Sequence, residues 1–554
     1  MNYKEVLYIW FTSTKAMKLI LRCLILFLPL LSIAQEDAWV YFRDKPNAQF
    51  YLDNPLEMLS QKSLDRRSAQ GIALDSKDVP IHIPYINNVQ DNIGIAIMAR
   101  SKWLNALHIR GSVEDINSLI SLPFVESVEF ADRSLNIAGR MAGAREAKAV
   151  NKSLEAAAEF NYGNSARQIE MLNGHLLHKD NFTGTGMMVA VIDAGFPGVN
   201  NTQPFQRLRD NGQILGGYDF VNRSDDFYTG NSHGTLVLSN IGGYVENQLV
   251  GTAPDASYYL FITEDALSEN PVEESYWVEA AEMADSLGVD VINTSLGYFL
   301  FDNPAYNHTF ADLDGQTAFM TRGANIAFTR GMLCVTSAGN SGQTQFPSVG
   351  VPGDALNTLT LGAVDANEVQ SAFSSEGPTA DGRIKPDVVA QGVAAVVATP
   401  SGTIGVANGT SFSSPITAGL VACLWQALPG KTNAQLLQII KESADRFSNP
   451  DNQYGYGVPD FYSAFVNNKT AEEVEGDKFI LYPNPIAGEN VTVVFPSETE
   501  SATLVVFNNL GQLVMERTIF KDAPSFPAQA LATGIYSYRI ASSKKSKTGR
   551  LIRQ

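Results

Sequence analysis

The chain has 554 residues, of which 45% are hydrophobic, and its formal net charge is −18. This length allows about two to four domains with buried cores. The acidic balance excludes a nucleic-acid partner, because such a partner requires a basic surface.

The N-terminal residues have the pattern of a signal peptide. Lys18 and Arg22 precede an apolar stretch at 23–33, which is too short to span a bilayer and ends in the small residues before Gln35. We expect residues 1–34 to be this signal peptide and Met17 to be the true start. The pattern predicts a secreted protein.

Residues 35–134 mix two kinds of pattern. Short strands are predicted at Ala38–Phe42 and Val125–Phe130, and a helix is predicted at Ser112–Leu122. This mixture indicates a small α+β domain. Residues 135–160, rich in Ala, Glu and Lys and without a strong apolar face, are predicted to form an accessible linker.

Residues 161–467 alternate apolar strand patterns with helical ones. Such alternation predicts a doubly wound α/β domain, in which a parallel sheet is covered by helices on both faces. The predicted helices are Glu273–Leu287, Gln316–Thr329, Thr410–Leu428 and Asn433–Ala444, with an inserted loop at Tyr298–Leu313.

Four polar residues stand where these strands end or helices begin. Asp193 follows the apolar run 187–192, and Asn340 follows the run 332–337. His233 opens a helical stretch, and Ser411 lies at a glycine-bearing turn into a small-residue helix. Because open α/β sheets bind ligands at the carboxyl ends of their strands, we expect these residues to converge.

In this order and context the four residues resemble those of subtilases, the subtilisin-like serine peptidases. The order Asp, His, Ser along the chain differs from that of chymotrypsin and of the α/β-hydrolases. The resemblance spans about residues 161–465, and its further motifs are Gly184–Gly186, Gly251–Pro254, Asn293–Gly297 and Tyr454–Asp460. It implies a subtilisin-like fold.

The resemblance also implies a role for each residue. Ser411 would attack the scissile carbonyl, His233 would act as general base, and Asp193 would orient the imidazole. The Asn340 side chain and the Ser411 backbone N–H would form the oxyanion hole. Taken singly, each residue is more often structural: the Asp as a cap, the His as a hydrogen-bonding residue, the Asn in a turn and the Ser at the start of a capped helix.

Substrate binding is implied for a second set of residues. By resemblance, an extended substrate would pair with Ser295, Leu296 and Gly297, and Ala338 and Gly339 would help to wall the primary pocket. Because these residues are small, we expect the pocket to accept a large apolar or aromatic side chain.

The chain departs from the usual subtilase pattern at two places. Ala194 stands where Ser or Thr usually follows the catalytic Asp, and Phe412-Ser413 stands where Met-Ala usually follows the nucleophile. Neither change removes a reacting group, so we expect altered packing and retained chemistry.

The two ends of the chain have resemblances of their own. Residues 35–134 resemble subtilase prodomains, which act as folding aids and inhibitors until cut; the alternative is a permanent N-terminal domain. After a linker at 468–478, the strand patterns of 479–554 predict a small β-sandwich. It resembles the sorting domain of type IX (Por) secretion cargo; the alternative is a module that binds carbohydrate or protein.

The resulting hypothesis is a secreted serine endopeptidase made as a zymogen. It would cross the periplasm and outer membrane of a Gram-negative bacterium, and its partners would be protein or peptide substrates, its own prodomain as intramolecular inhibitor, and the type IX secretion machinery. A catalytically silent surface binding protein is the alternative. An esterase is disfavoured because position 413 is Ser, where Gly-x-Ser-x-Gly requires Gly.

No cofactor is predicted, since the chain lacks paired Cys and His spacing. Structural calcium at acidic loops such as 224–226 stays open, because no ligand pattern is diagnostic there. Cys334 and Cys423 are predicted to be small core residues, with a disulfide between them left open.

Overall fold

The computed structural model describes residues 35–136, 160–469, 479–486, 490–496, 499–508, 511–529, 531–542 and 545–553. The predicted signal peptide and residues 137–159 of the predicted linker lie outside these ranges. No helix within them is long and apolar enough to cross a membrane.

The N-terminal domain is a four-stranded antiparallel sheet in the order β2-β3-β1-β4, with short helices packed on it. Both predicted strands are confirmed, and the predicted helix at 112–122 begins after Ser112, whose side chain accepts from the Asp115 N–H. The elements are β1 (Glu36–Phe42), α1 (Ala48–Asp53), α2 (Gln61–Ala69), α3 (Ile83–Gln90), β2 (Ala96–Ser101), β3 (Ala106–Gly111), α4 (Val113–Ser118) and β4 (Val125–Phe130).

The central domain is built on a seven-stranded sheet, parallel throughout, in the order β13-β12-β11-β10-β5-β9-β6. Two separate apolar cores lie against this sheet. Its strands are β5 (Met188–Asp193), β6 (Ile214–Asp219), β9 (Ser257–Ile262), β10 (Val291–Thr294), β11 (Leu333–Ser337), β12 (Leu359–Val364) and β13 (Val388–Gln391).

Helices cover both faces of this sheet, as the alternation predicted. The hairpin strands β7 (Tyr244–Val245) with β8 (Leu249–Val250) and β14 (Ala395–Ala398) with β15 (Ile404–Ala407) lie outside it. The helices are α5 (Ala166–Glu170), α6 (Gly174–Lys179), α7 (Gln206–Asp210), α8 (His233–Gly242), α9 (Val272–Leu287), α10 (Phe319–Thr329), α11 (Thr410–Ala427), α12 (Asn433–Glu442) and α13 (Phe461–Asn468).

The buried strands and helices follow from their composition. β5 is apolar on both faces, as a strand inside a parallel sheet must be. α11 consists of small and apolar residues and is buried along almost its whole length. The free cysteines Cys334 and Cys423 are both buried in the cores, which confirms their predicted packing role.

The C-terminal residues form two antiparallel sheets that share one apolar core. One sheet has the order β16-β17-β20 and the other β19-β18-β21-β22. The strands are β16 (Ile480–Tyr482), β17 (Asn490–Val494), β18 (Ser501–Phe507), β19 (Leu513–Phe520), β20 (Ser525–Pro527), β21 (Gly534–Ala541) and β22 (Ser546–Arg553). The predicted β-sandwich is confirmed.

The N-terminal domain packs its sheet against α9 and α10 of the central domain. The Trp39 ring stacks on Phe319 with 5.1 Å between ring centroids, and its indole N–H donates to Ser275 Oγ over 2.9 Å. Both oxygens of Glu282 accept hydrogen bonds from the β2–β3 turn. The interface is therefore both apolar and hydrogen-bonded.

A buried ionic network crosses the same interface. Asp285 on α9 is fully buried and pairs with Arg66 and with Arg67, the latter over 2.6 Å. Arg67 also pairs with Asp78 over 2.7 Å. Burial by itself raises the pKa of Asp285, but the two guanidinium groups outweigh it and hold the pKa below its ordinary value.

Neutralising Asp285 is expected to weaken the attachment of the N-terminal domain. In a Ser411→Ala background that keeps the chain uncut, Asp285→Asn leaves two buried guanidinium groups without their shared anion and should cost about 3 kcal/mol of unfolding free energy. Denaturant unfolding measures this loss, with Asp225→Asn at an exposed aspartate as the matched control. Equal stability of the two variants would contradict this account.

Candidate active site

The carboxyl ends of four neighbouring strands meet at one cleft. Along the sheet edge, residues 338–340 follow β11, Ser295 lies just beyond β10, Asp193 ends β5 and Glu264 follows β9. The cavity at this edge measures about 470 Å³ and is lined by the side chains or backbone of His233, Asn340 and Ser411, among others.

Asp193 and His233 form a hydrogen-bonded pair. Asp193 Oδ1 lies 2.7 Å from His233 Nδ1 and also accepts the Ala194 N–H over 2.8 Å. Asp193 is fully buried, whereas the imidazole side chain is 31% exposed. This pairing holds Nδ1 toward the carboxylate and leaves Nε2 for the cleft.

The glycine directly after His233, in the first turn of α8, allows this helix to approach β5 closely. A Cβ at Gly234 would stand 2.9 Å from Asp193 Cβ and 2.5 Å from the Gly195 carbonyl oxygen. A larger residue would therefore force α8 away from β5.

The pKa of His233 is raised by its surroundings. Burial is the largest influence and lowers it, but the charge of Asp193 and its hydrogen bond together outweigh burial. Glu264 adds a smaller contribution in the same upward direction. The imidazolium form is thus favoured beside the buried carboxylate.

The Asp193 carboxylate has one unsatisfied oxygen. Within the described residues, Oδ2 is buried and accepts no hydrogen bond. Ala194, where the family usually has a hydroxyl residue, offers no side-chain donor. The presence of Ala194 therefore coincides with the missing hydrogen bond to Asp193 Oδ2. The hydrogen bond between Asp193 and His233 is retained.

Ser411 lies in the first turn of α11, at the floor of the cleft. Its Oγ donates to the Ser295 carbonyl oxygen over 3.3 Å, and the Ser295 hydroxyl donates back to the Ser411 carbonyl oxygen over 2.9 Å. No hydrogen bond joins the serine hydroxyl to His233 among the described residues. The ring of the next residue, Phe412, lies 6.1 Å from the imidazole, measured between centroids.

Asn340 is fixed with its amide nitrogen free. Its Oδ1 accepts from both the Thr410 backbone N–H, over 2.9 Å, and the Thr410 hydroxyl, over 3.1 Å. Nδ2 makes no hydrogen bond within the described ranges, and the residue lines the cleft beside Ser411. The two bonds to Oδ1 therefore fix the orientation of the amide and leave Nδ2 available as a donor.

The residues expected to bind substrate also line this cavity: Ser295, Leu296, Gly297, Ala338 and Gly339. Gly339 has φ +105, and a Cβ there would stand 2.9 Å from Ser375 Oγ. The backbone at this turn therefore requires glycine.

Sequence reasoning missed several residues of the cleft wall. Glu264 and Glu269 lie in the loop between β9 and α9, and Tyr298 and Phe299 belong to the inserted loop. The Tyr298 hydroxyl donates to Glu264 Oε2 over 2.7 Å. The acidic residues in 264–269 could have indicated this wall, but no sequence pattern predicted that they lie beside His233.

No group of three or more His, Cys, Asp or Glu side chains able to hold a metal ion occurs in the parts of the chain that are described. The loop at 224–226, where calcium was left open, is among those parts.

Comparison with known proteins agrees with this architecture. Residues 184–457 match the subtilase family model, residues 37–151 match a Peptidase S8 propeptide domain of Bacteroidota, and residues 480–554 match a secretion system C-terminal sorting domain.

Several characterised relatives are similar over the central domain. Subtilisin E of Bacillus subtilis (strain 168) is 32% identical over 294 residues, which cover 52% of this chain and 68% of that relative. A subtilisin of Bacillus pumilus is 31% identical over 294 residues, with 94% of its length covered. A crystal structure of MycP1 with its N-terminal propeptide removed aligns at 25% identity and a TM-score of 0.43, covering 54% of this chain and 96% of that one.

The chain therefore belongs to the subtilase family. It is a serine endopeptidase homologous to the subtilisins, with a propeptide domain before the peptidase domain and a secretion sorting domain after it. The predicted family, fold and enzyme class are confirmed. The matches to a propeptide and a sorting domain favour those interpretations over a permanent N-terminal domain and over a carbohydrate- or protein-binding module.

Proposed function

We propose that the chain hydrolyses peptide bonds in proteins through Asp193, His233 and Ser411, with Asn340 in the oxyanion hole. The observation that carries this proposal is the shared cleft: a buried carboxylate bonded to an imidazole over 2.7 Å, beside a helix-borne serine and a free amide donor. A nucleophile, a base and an orienting acid are the elements of acyl transfer by serine.

Attack begins with rotation of the Ser411 hydroxyl away from the Ser295 carbonyl. Catalytic hydrogen bonds in unliganded sites are often long and tighten when substrate binds. His233 Nε2 takes the hydroxyl proton as Oγ attacks the scissile carbonyl carbon, and later passes that proton to the leaving amine. Asp193 stays ionised and stabilises the imidazolium.

The negative charge that develops on the carbonyl oxygen needs donors. Asn340 Nδ2 and the Ser411 backbone N–H, at the positive end of α11, would supply them. Because Thr410 already holds the amide in position, little reorganisation is needed during the reaction.

Truncating Asn340 is expected to slow turnover without weakening peptide binding. Asn340→Ala should lower kcat by about 10²–10³, the cost of removing one oxyanion donor in subtilisin itself, a relative of this chain. Steady-state kinetics on one peptide measure kcat and KM separately. Unchanged kcat would remove Asn340 from the mechanism, and a rise in KM alone would make it a binding residue.

The domain limits follow from the same account: signal peptide 1–34, prodomain 35–134, activation linker 135–160, peptidase domain 161–467, linker 468–478 and sorting domain 479–554. The prodomain would act as an intramolecular inhibitor through the buried interface on α9 and α10. The sorting domain would direct the protein, by type IX secretion, through the periplasm and outer membrane of a Gram-negative cell to its surface or the medium.

Digestion of an unfolded protein tests the proposal. The secreted wild type should cut denatured casein at internal peptide bonds, and a serine-directed fluorophosphonate should stop the cutting. Peptide ends identified by mass spectrometry give the cleavage sites. Absence of cutting by a folded, propeptide-free protein would favour the catalytically silent binding protein instead.

A further inference from the structure

The wall of the cleft opposite the Ala338–Gly339 pocket carries carboxylates. Glu264 and Glu269 both line the cavity that holds His233 and Ser411. Both side chains are half-buried. They belong to the loop between β9 and α9, which joins the same sheet edge as the catalytic residues.

This loop is held firmly by its neighbours. Glu273, which is buried in the first turn of α9, accepts the Asp265 N–H over 2.8 Å and the Asn270 N–H over 2.7 Å. The Glu269 N–H donates to Asp302 Oδ2 over 3.1 Å, which ties the loop to the inserted segment. The two cleft carboxylates are therefore presented on an ordered support.

Neither carboxylate forms an ion pair in the described residues, although the charge of His233 lies near enough to Glu264 to lower its pKa. The ion pairs made by glutamates there involve Glu129, Glu274, Glu279, Glu368 and Glu500, and none involves Glu264 or Glu269. Glu264 Oε2 accepts from Tyr298. Its Oε1 and both carboxylate oxygens of Glu269 accept no hydrogen bond from any residue that the structure describes.

The surroundings of both carboxyl groups raise their pKa values. Burial, and then the neighbouring charges of Glu264 and Asp302, raise the pKa of Glu269 to about 7. Burial raises the pKa of Glu264 as well, against the opposing hydrogen bond of Tyr298. Half-buried carboxylates without a counter-ion are unusual, because burial of a charge is costly unless the charge is paired.

The position of the two glutamates fixes which part of a substrate meets them. In the sheet order, Glu264 after β9 and the Ala338–Gly339 turn after β11 lie on opposite sides of Ser295–Gly297. Side chains of an extended peptide alternate between its two sides. When the residue before the scissile bond enters the Ala338–Gly339 pocket, the second and fourth residues before that bond face the glutamates.

We propose that Glu264 and Glu269 select substrates with a lysine or arginine at the second or fourth position before the cleaved bond. This inference rests on the proposed peptidase function and specifies its substrate class. The cation in this proposal is the lysine or arginine side chain of the peptide itself. A preferred substrate would therefore carry a basic side chain at one of these positions, as well as the apolar side chain expected in the primary pocket.

Matched peptide substrates test the proposal on the unaltered enzyme. Peptides of one sequence carry arginine, or its neutral isostere citrulline, at the second or the fourth position. The arginine peptide should have a kcat/KM about 10-fold to 100-fold higher at one of these positions, the range for a charged hydrogen bond of about 1.5–3 kcal/mol. Equal values for arginine and citrulline at both positions would overturn the proposal.

Isosteric variants assign the effect to the two glutamates. Glu264→Gln and Glu269→Gln should each reduce the arginine-to-citrulline ratio of kcat/KM. Because both peptides are cut by the same variant, this ratio is independent of any change that Glu264→Gln makes to the pKa of His233. Glu246→Gln, at an exposed glutamate in the β7–β8 turn outside the cleft, is the control and should keep the full ratio. A ratio unaffected by both cleft variants would also overturn the assignment.

The pH dependence gives a further readout. Glu269 faces Glu264, Asp302 and Glu273. Glu264 in turn faces Asp193, His233, Asp265 and Glu273. Because a raised pKa keeps Glu269 partly protonated near neutrality, the arginine-to-citrulline ratio should rise between about pH 6 and pH 8. A ratio that falls over this range would contradict a role for Glu269.

Failure of this proposal is distinguishable from failure of the proposed function. An enzyme that hydrolyses the citrulline peptides and reacts with fluorophosphonate, but ignores arginine, would be a peptidase without the basic preference. A folded protein that hydrolyses none of the peptides and resists the probe would refute the peptidase function itself. Calcium added at millimolar levels should leave the arginine-to-citrulline ratio unchanged. If calcium abolished the preference for arginine, the cation that these glutamates bind would be a metal ion and not the peptide.

Discussion

Ser411→Ala is expected to lower kcat by about 10⁶, the loss measured for the nucleophile of subtilisin, a relative of this chain. The other hydroxyls of α11 all donate elsewhere: Thr410 to Asn340 Oδ1, Ser413 to the Thr410 carbonyl, Ser414 to Asn293 Oδ1 and Thr417 to the Ser413 carbonyl. If the protein cleaves off its own propeptide, the variant should also be secreted with the propeptide still attached. Peptide kinetics and the intact mass of the secreted protein measure both effects.

Ser413→Ala is the matched control for this variant. Ser413 is buried in the same helical turn, and its hydroxyl is committed to a local backbone hydrogen bond. We expect wild-type kcat from the control. A Ser411→Ala protein that keeps even a tenth of the wild-type turnover would exclude Ser411 as the nucleophile.

Asp193→Asn is expected to lower kcat by about 10⁴ while the fold is retained. The amide would present a donor to Nδ1, so the imidazole would turn to the tautomer that cannot take the serine proton. The charge that raises the pKa of His233 would also be lost. The midpoint of the alkaline rise in kcat/KM should therefore move to lower pH.

A pH series of kcat/KM for both proteins measures this effect. Asp219→Asn changes another buried aspartate at the carboxyl end of a strand, on β6, and serves as the control. It should not move the midpoint. A midpoint that stays in place in Asp193→Asn, or moves to higher pH, would contradict the assigned electrostatics.

The sequence was sufficient for the parts of the fold with strong periodic patterns. The apolar run before Asp193 predicted β5 to within one residue, and the helix that begins at Ser411's turn was placed almost in full. Motif order then indicated which strand ends share an edge. Strand order itself came from the three-dimensional structure, as did the cavity that His233, Asn340 and Ser411 line, with Asp193 bonded to His233.

Other features of the structure have sequence patterns too weak to predict them. β2 and β3 of the N-terminal domain are short, and β3 is buried on both faces, with the polar His108 in its middle. The contact of Trp39 with Phe319 and Ser275 joins residues far apart in the chain, so no local signal marks it. The acidic wall of the cleft was hidden for the same reason, because its meaning depends on which residues lie opposite.

The inserted loop at 298–313 also makes contacts that its sequence does not indicate. An inserted loop was predicted here from sequence, and Tyr298 at its start lines the cleft. Its second set of contacts was not foreseen: Tyr306 donates to Glu36 over 2.9 Å, and Asp312 pairs with Arg133. The loop thus contacts both the cleft and the N-terminal domain.

The central claim is that the Ser411 hydroxyl is activated by His233, and the most direct measurement is the site of fluorophosphonate attachment. Treated wild-type protein, digested and sequenced by tandem mass spectrometry, should carry one phosphonyl adduct, on Ser411. The adduct should be absent from a His233→Ala protein treated in parallel. Labelling of any other serine, or equal labelling of Ser411 without the imidazole, would contradict the claim.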